Sequence, residues 1–157
     1  MKRLHIHVGV KNIDDAIRFY TTLFGAQPVK TKPDYAKWLL DDPSVNFAVS
    51  TRVQKTGLDH LGIQVEEEAE LTELRERLKA GDIGLVDEGE TVCCYARSEK
   101  SWIQDPAGIA WEAYRTMEDA EIFSGKADSP QGACCTPETK GKPDCCVPSP
   151  ATAGCCG

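Results

Sequence analysis

Two stretches of the chain read alike: His5-Ile6-His7-Val8-Gly9-Val10 and His60-Leu61-Gly62-Ile63-Gln64-Val65. In each, a histidine stands five residues before a valine on an alternating, strand-like pattern, and a helix-type segment follows. Such self-similarity marks an internal duplication, and a duplication constrains architecture more tightly than any single motif.

The first copy continues through Asn12, a capping residue, with acids in the first helical turn and Ile13, Ile17, Tyr20 and Phe24 repeating at three and four up to Gly25. The second runs from Glu66 to Lys79 with Leu71, Leu74 and Leu78 on one face, and stops at Gly81. After each helix come three strand-like segments: 27–31, 35–40 and 45–50 in the first copy, and 84–88, 92–96 and 109–114 in the second. Asp42-Pro43-Ser44 and Asp105-Pro106-Ala107-Gly108 hold matching turn positions. The expected fold is therefore α+β, two βαβββ modules spanning about 1–53 and 57–115. Each module is too small to bury a sufficient core alone, so the two pack together over one shared cavity.

The charge of −7 argues against a nucleic-acid partner, because nothing neutralises phosphates. No apolar run is long enough to span a membrane and the N-terminus has no secretory core, which makes the cytoplasm the expected compartment. There, the eight cysteines read as thiols and metal ligands rather than structural disulfides. Residues 116–157 are expected to form a flexible tail, rich in Pro and Gly from about Asp128 and poor in large apolar residues. That tail holds the pairs Cys134-Cys135, Cys145-Cys146 and Cys155-Cys156, and a fourth pair, Cys93-Cys94, lies in the folded part.

The duplication puts His5 and His60 at equivalent positions of two strands, and Glu112 lies among apolar residues on the last strand. A carboxylate so placed is costly to bury unless a cation or donor meets it. Singly, each histidine reads as a hydrogen-bonded core residue; two at equivalent positions plus an acid read as a metal site. Two imidazoles and one carboxylate with open positions suit ferrous iron, and zinc, manganese and nickel also use such sets. His7 shares a strand face with His5 and is a weaker candidate, as an alternative ligand or as a partner supporting the ligands.

The duplicated halves, the paired His-x-x-x-x-Val strands and the Asp105-Pro106-x-Gly108-x-x-x-Glu112 ending resemble the vicinal oxygen chelate superfamily over residues 1–115. That superfamily includes glyoxalase I, fosfomycin resistance proteins and extradiol dioxygenases. Lys32-Pro33-Asp34-Tyr35-Ala36-Lys37-Trp38, Val45-Asn46-Phe47-Ala48, the segment 57–65 and Cys93-Cys94-Tyr95-Ala96-Arg97-Ser98 are similar to its ArsI/CadI group of organoarsenical carbon–arsenic lyases and cadmium-induced proteins. The resemblance implies a non-haem Fe(II) dioxygenase, with molecular oxygen as co-substrate, that splits the carbon–arsenic bond of trivalent organoarsenicals such as methylarsenite. It maps the metal and catalytic residues onto His5, His60 and Glu112.

Thiolates are soft ligands, and a trivalent arsenic bearing one methyl group has two valences left for sulfur, which makes Cys93 and Cys94 the candidate substrate-binding pair. Adjacent side chains of a flat strand point apart, so chelation needs residues 91–98 to leave strand geometry; a loop or mobile segment is expected there. Tyr35, Tyr95 and Trp102 are further candidates for the pocket wall. The tail pairs lack the spacer of zinc modules and read as scavengers or relays for As(III) or Cd(II). Two other functions fit: a non-catalytic thiol protein that sequesters cadmium or arsenite, and another metal-dependent enzyme of the superfamily such as a glyoxalase. By analogy the chain is a monomer or homodimer.

Overall fold

The duplication is visible in the order of elements. In the computed structural model, which describes residues 2–122, the first module comprises β1 (Arg3–Gly9), α1 (Ile13–Phe24), β2 (Lys30–Lys32), β3 (Tyr35–Asp41) and β4 (Ser44–Ser50). The second comprises β5 (Gly57–Val65), α2 (Glu68–Ala80), β6 (Val86–Cys93), β7 (Ala96–Gln104) and β8 (Ala110–Asp119). All eight strands form one sheet in the order β2-β3-β4-β1-β5-β8-β7-β6. β1 and β5 are antiparallel neighbours at its centre, β4 runs parallel to β1, and β8 runs parallel to β5. The two modules thus repeat one pairing scheme outward from the middle. Side chains from β3 and β7, well separated in this order, line the same cavity, so the sheet curls around it.

Each helix covers its own module. The Asn12 side chain accepts the Asp15 N–H at 2.9 Å, Asp14 and Asp15 occupy the first turn, and Gly25 ends the helix at φ 62°. The expected apolar face forms: Ile13, Ala16, Ile17, Tyr20 and Phe24 pack on Trp38, Phe47 and Val49, with the Tyr20 and Phe47 rings 4.5 Å apart. On α2 the face is thinner. Leu71 is fully buried and Leu74 partly, against Val65 and Ala113, and a reciprocal pair of bonds between Glu67 and Glu70 caps the helix.

The second module departs from expectation in one place. Segment 92–96 is not a strand: β6 runs on to Cys93, and Cys94 (φ 56°) and Tyr95 (φ 60°) close a tight hairpin into β7. Two consecutive positive φ values make the mirror-image turn that suits twisted strands, usually signalled by Asn-Gly; Cys-Tyr carries no such signal. β7 itself, Ala96–Gln104, was not among the expected strands. Its buried positions include Ser98, Lys100 and Ser101, so the sequence shows no apolar alternation. The expected loop at 91–98 is accordingly a hairpin that leaves flat strand geometry only at its two turn residues. Among the described residues the shortest strand is β2, at 30–32 rather than 27–31, and β8 continues past Tyr114 to Asp119, so the tail expected from residue 116 does not begin there: 116–119 still pair with β7. The three tail cysteine pairs lie outside the described residues.

Candidate metal and thiol site

Register brings the three principal candidates together. His5 on β1 pairs with Gly62 on β5, and Gly62 pairs with Glu112 on β8, so His5 and Glu112 meet across a residue without a side chain. A Cβ on Gly62 would lie 2.7 Å from Glu112 Cγ and 3.4 Å from His5 Cβ, in the space the two side chains use. His60 pairs with His7 two residues along the ladder. Glu112 Oε1 stands 3.4 Å from His5 Nε2 and 3.6 Å from His60 Nε2, and all three residues are buried.

Hydrogen bonds fix which nitrogen each ring offers. The Asn46 carbonyl can only accept, so His5 donates to it through Nδ1 at 3.0 Å and turns the Nε2 lone pair inward. His60 Nδ1 donates to Asp59 Oδ2 at 2.7 Å, with the same result. Neighbours on a regular strand point to opposite faces, and Asp59 reaches His60 because β5 bulges there: His7 pairs with His60 but Val8 pairs with Leu58, leaving Asp59 as the extra residue. The bulge also sets Asp59 Oδ2 4.0 Å from His7 Nδ1.

His7 sits closer to the centre than expected of a weak candidate. Its ring lies 4.8 Å from that of His60 and 6.2 Å from that of His5, and the three imidazoles present nitrogens within 4.8 Å of one another. Nε2 is 3.1 Å from Ser50 Oγ, whereas Nδ1 is buried without a hydrogen-bond partner. Asn46 Oδ1, also on the cavity wall, is likewise buried and unpartnered. Buried polar atoms normally find partners, so a cavity with three imidazoles, a carboxylate and two orphaned acceptor-capable atoms fits a cation and its ligands.

Lys100 is the residue that sequence reasoning missed. It projects from β7 into the site and donates Nζ to Glu112 Oε2 at 3.1 Å, with Lys100 and Glu112 only 5 % and 4 % exposed. Burial opposes the charged form of Glu112, but Lys100 first and then His60 and His5 outweigh it, and the carboxyl is held well below its ordinary range. Burial brings His5 down to about 4 and holds His7 well below the usual imidazole value. For His60, burial also opposes charge, yet the bonds to Asp59 and Glu112 prevail and its pKa is raised.

The vicinal cysteines open on the same cavity. The turn at Cys94 and Tyr95 brings Cys93 Sγ and Cys94 Sγ to 3.2 Å. Cys93 is disulfide-bonded, against the expectation that the cysteines are thiols, so the two sulfurs can bond one soft atom only after that disulfide is reduced. Tyr35 and Trp102 line the cavity as expected; Tyr95 instead turns its hydroxyl to Asp34, donating at 2.5 Å, and packs against Tyr35. Tyr114 and Lys37 are additional wall residues. The cavity volume is about 40 Å³; one water needs roughly 10–15 Å³, so the cavity admits a group of a few heavy atoms. Among the described residues, no helix is long and apolar enough to cross a membrane.

Comparison with known proteins shows the family and the fold. The family model of the Glyoxalase/Bleomycin resistance protein/Dioxygenase superfamily matches residues 2–113. The chain is 40% identical to the trivalent organoarsenical cleaving enzyme of Bacillus sp. (strain MD1), over 99% of each. It is 34% identical to the cadmium-induced protein CadI of Mycobacterium tuberculosis, over 86% of this chain and 93% of that one. Among solved structures, the Mn(II)-bound glyoxalase of Novosphingobium aromaticivorans shares the fold at a TM-score of 0.53 and 17% identity, over 78% of this chain and 42% of that one.

Proposed function

Because the chain belongs to the Glyoxalase/Bleomycin resistance protein/Dioxygenase superfamily, in the branch of the organoarsenical cleaving enzymes and CadI, we propose that it detoxifies trivalent organoarsenicals by an Fe(II)-dependent dioxygenase cleavage of their carbon–arsenic bond. The observation that carries this reading is one cavity lined both by the vicinal cysteines Cys93 and Cys94 and by His5, His60 and Glu112. A glyoxalase has no use for the thiols, and a sequestering protein has none for the buried ligand set.

Methylarsenite carries two hydroxyls on arsenic. Once a cellular thiol reductant has opened the Cys93 disulfide, each thiol replaces one of them, its proton leaving with that oxygen as water; two As–S bonds form, two As–O bonds break, and arsenic stays trivalent. Burial pushes the Cys94 thiol up to about 12, an effect that the Lys100 charge opposes. Burial thus disfavours a standing thiolate at Cys94, and capture there passes the thiol proton to the departing hydroxyl. The hairpin holds the captured methyl group in the cavity that the inward nitrogens of His5 and His60 also line. Fe(II) on His5, His60 and Glu112 would supply the activation of dioxygen. Overall, one oxygen atom enters each product, giving arsenite and formaldehyde from methylarsenite and dioxygen. The small cavity favours a methyl group over an aromatic ring.

The test is anaerobic reconstitution of fully reduced protein with Fe(II), addition of methylarsenite with and without oxygen, and separation of the arsenic species. Oxygen-dependent arsenite formation that is lost in Cys93→Ser, Cys94→Ser and Glu112→Ala is the expected result. Tight capture with no arsenite formed would replace this reading by sequestration. Cleavage unaltered in Cys93→Ser would remove the thiols from the mechanism.

A further inference from the structure

The carboxylate of Glu112 is divided between two tasks. Oε1 faces His5 Nε2 and His60 Nε2, while Oε2 accepts from Lys100 Nζ at 3.1 Å. Lys100 has little freedom to leave. It is anchored on β7 opposite Tyr114, two residues from the Glu112–Trp102 pair, with its ammonium 5.5 Å from the centre of the Trp102 ring. Solvent offers no alternative partner to a 5 % exposed lysine, and breaking a buried pair strands two charges.

Resting on the reading of His5, His60 and Glu112 as metal ligands, we propose that Lys100 is a positioning residue: by holding Oε2 it restricts Glu112 to a single donor oxygen, and so keeps one more coordination position open for small ligands. A carboxylate unrestrained on both oxygens can bind a metal ion through one or both of them. Where two reactants must meet at one ion, a position occupied by the second oxygen is a position denied to a reactant. A neutral side chain of the same length leaves Oε2 unheld. Arginine keeps the charge and has N–H donors that can hold Oε2 while the metal occupies Oε1.

The pair also has a bland use, as neutralisation of an acid that the sheet buries, and the experiment must separate the two. Full-length wild type, Lys100→Met and Lys100→Arg are loaded anaerobically with Mn(II). The exchangeable waters on the ion are counted by pulsed electron paramagnetic resonance in oxygen-17 water, and the absorption spectrum of the Co(II) form is recorded. Lys100→Met should lose one water and shift the Co(II) bands, while Lys100→Arg should match wild type in both. An unchanged water count in Lys100→Met reduces Lys100 to charge neutralisation and overturns the proposal. A crystal structure of wild type with Mn(II) decides the matter without any variant, should Lys100→Met not fold. Glu112 bound through one oxygen with Lys100 on the other supports the proposal; Glu112 bound through both overturns it and leaves the ligand assignment standing. Absence of Mn(II) from His5, His60 and Glu112 overturns the ligand assignment, and this inference with it.

Discussion

Gly62 and Glu112 face each other across the β5–β8 ladder, and the absence of a side chain on one is what admits the side chain of the other. In the duplication, Gly62 is the counterpart of His7, and each stands opposite the last strand of its own module: Gly62 beside Glu112, His7 beside Ala48. One copy is small inside and large outside, the other the reverse. This exchange of bulk turns a symmetric repeat into an asymmetric site.

Gly62→Ala should therefore displace Glu112. The added methyl would sit 2.7 Å from both Glu112 Cγ and the Glu112 backbone oxygen, and the backbone cannot yield as a side-chain tip can. Overpacking of this kind costs about 1–3 kcal/mol, and the ligand set is lost with it. Urea unfolding and metal content after Fe(II) loading measure the two effects; wild-type metal content in the alanine variant would show that Glu112 is not a ligand.

Asp59→Ala removes the acceptor that sets the His60 tautomer. Loss of such a supporting partner costs about 10–100-fold in metal affinity, and Asp59→Asn, which keeps an acceptor oxygen, should lose less. Equilibrium dialysis against Co(II) gives both values, and equal affinity in all three proteins would mean that the bulge serves the sheet alone.

Two ligand sets fit the cavity, one with Glu112 and one with His7, and substitution separates them. His7→Ala should retain the wild-type ratio of bound Fe(II) to protein, whereas Glu112→Ala should fall well below it. The opposite ranking would assign the ion to the three histidines whose nitrogens lie within 4.8 Å of one another.

Acid should destabilise the metal-free protein in a defined window. His5, brought down to about 4, and His7, held lower than normal, are neutral when folded, while in the unfolded chain each takes up a proton near 6.5. Their stabilising effect is present above that value and is lost as pH falls from about 6.5 towards 4. For His5 this is on the order of 3 kcal/mol. Glu112 acts in the same direction at lower pH, and His60, with its raised pKa, in the opposite one: its contribution is lost as pH rises through the raised value. Urea midpoints for wild type and His5→Gln between pH 4 and 8 test the assignment, because the variant should show a flatter acid limb.

Periodicity and the repeated His-x-x-x-x-Val were enough to reveal two βαβββ modules, the faces of both helices and the convergence of His5, His60 and Glu112. Those features follow from local rules: side-chain alternation along a strand, the spacing of a helical face, and the pairing that a duplication imposes. Tertiary structure decided the rest. The hairpin at Cys94 and Tyr95 arises from backbone dihedrals that neither residue advertises. Asp59 meets His60 only through a bulge defined by the partner strand. Lys100 looks like a surface lysine until curling of the sheet carries β7 over the cavity and gives it Glu112 as a partner. A buried charge is legible only once its counter-charge is placed, and that placement is a property of the fold, not of the neighbouring residues in the chain.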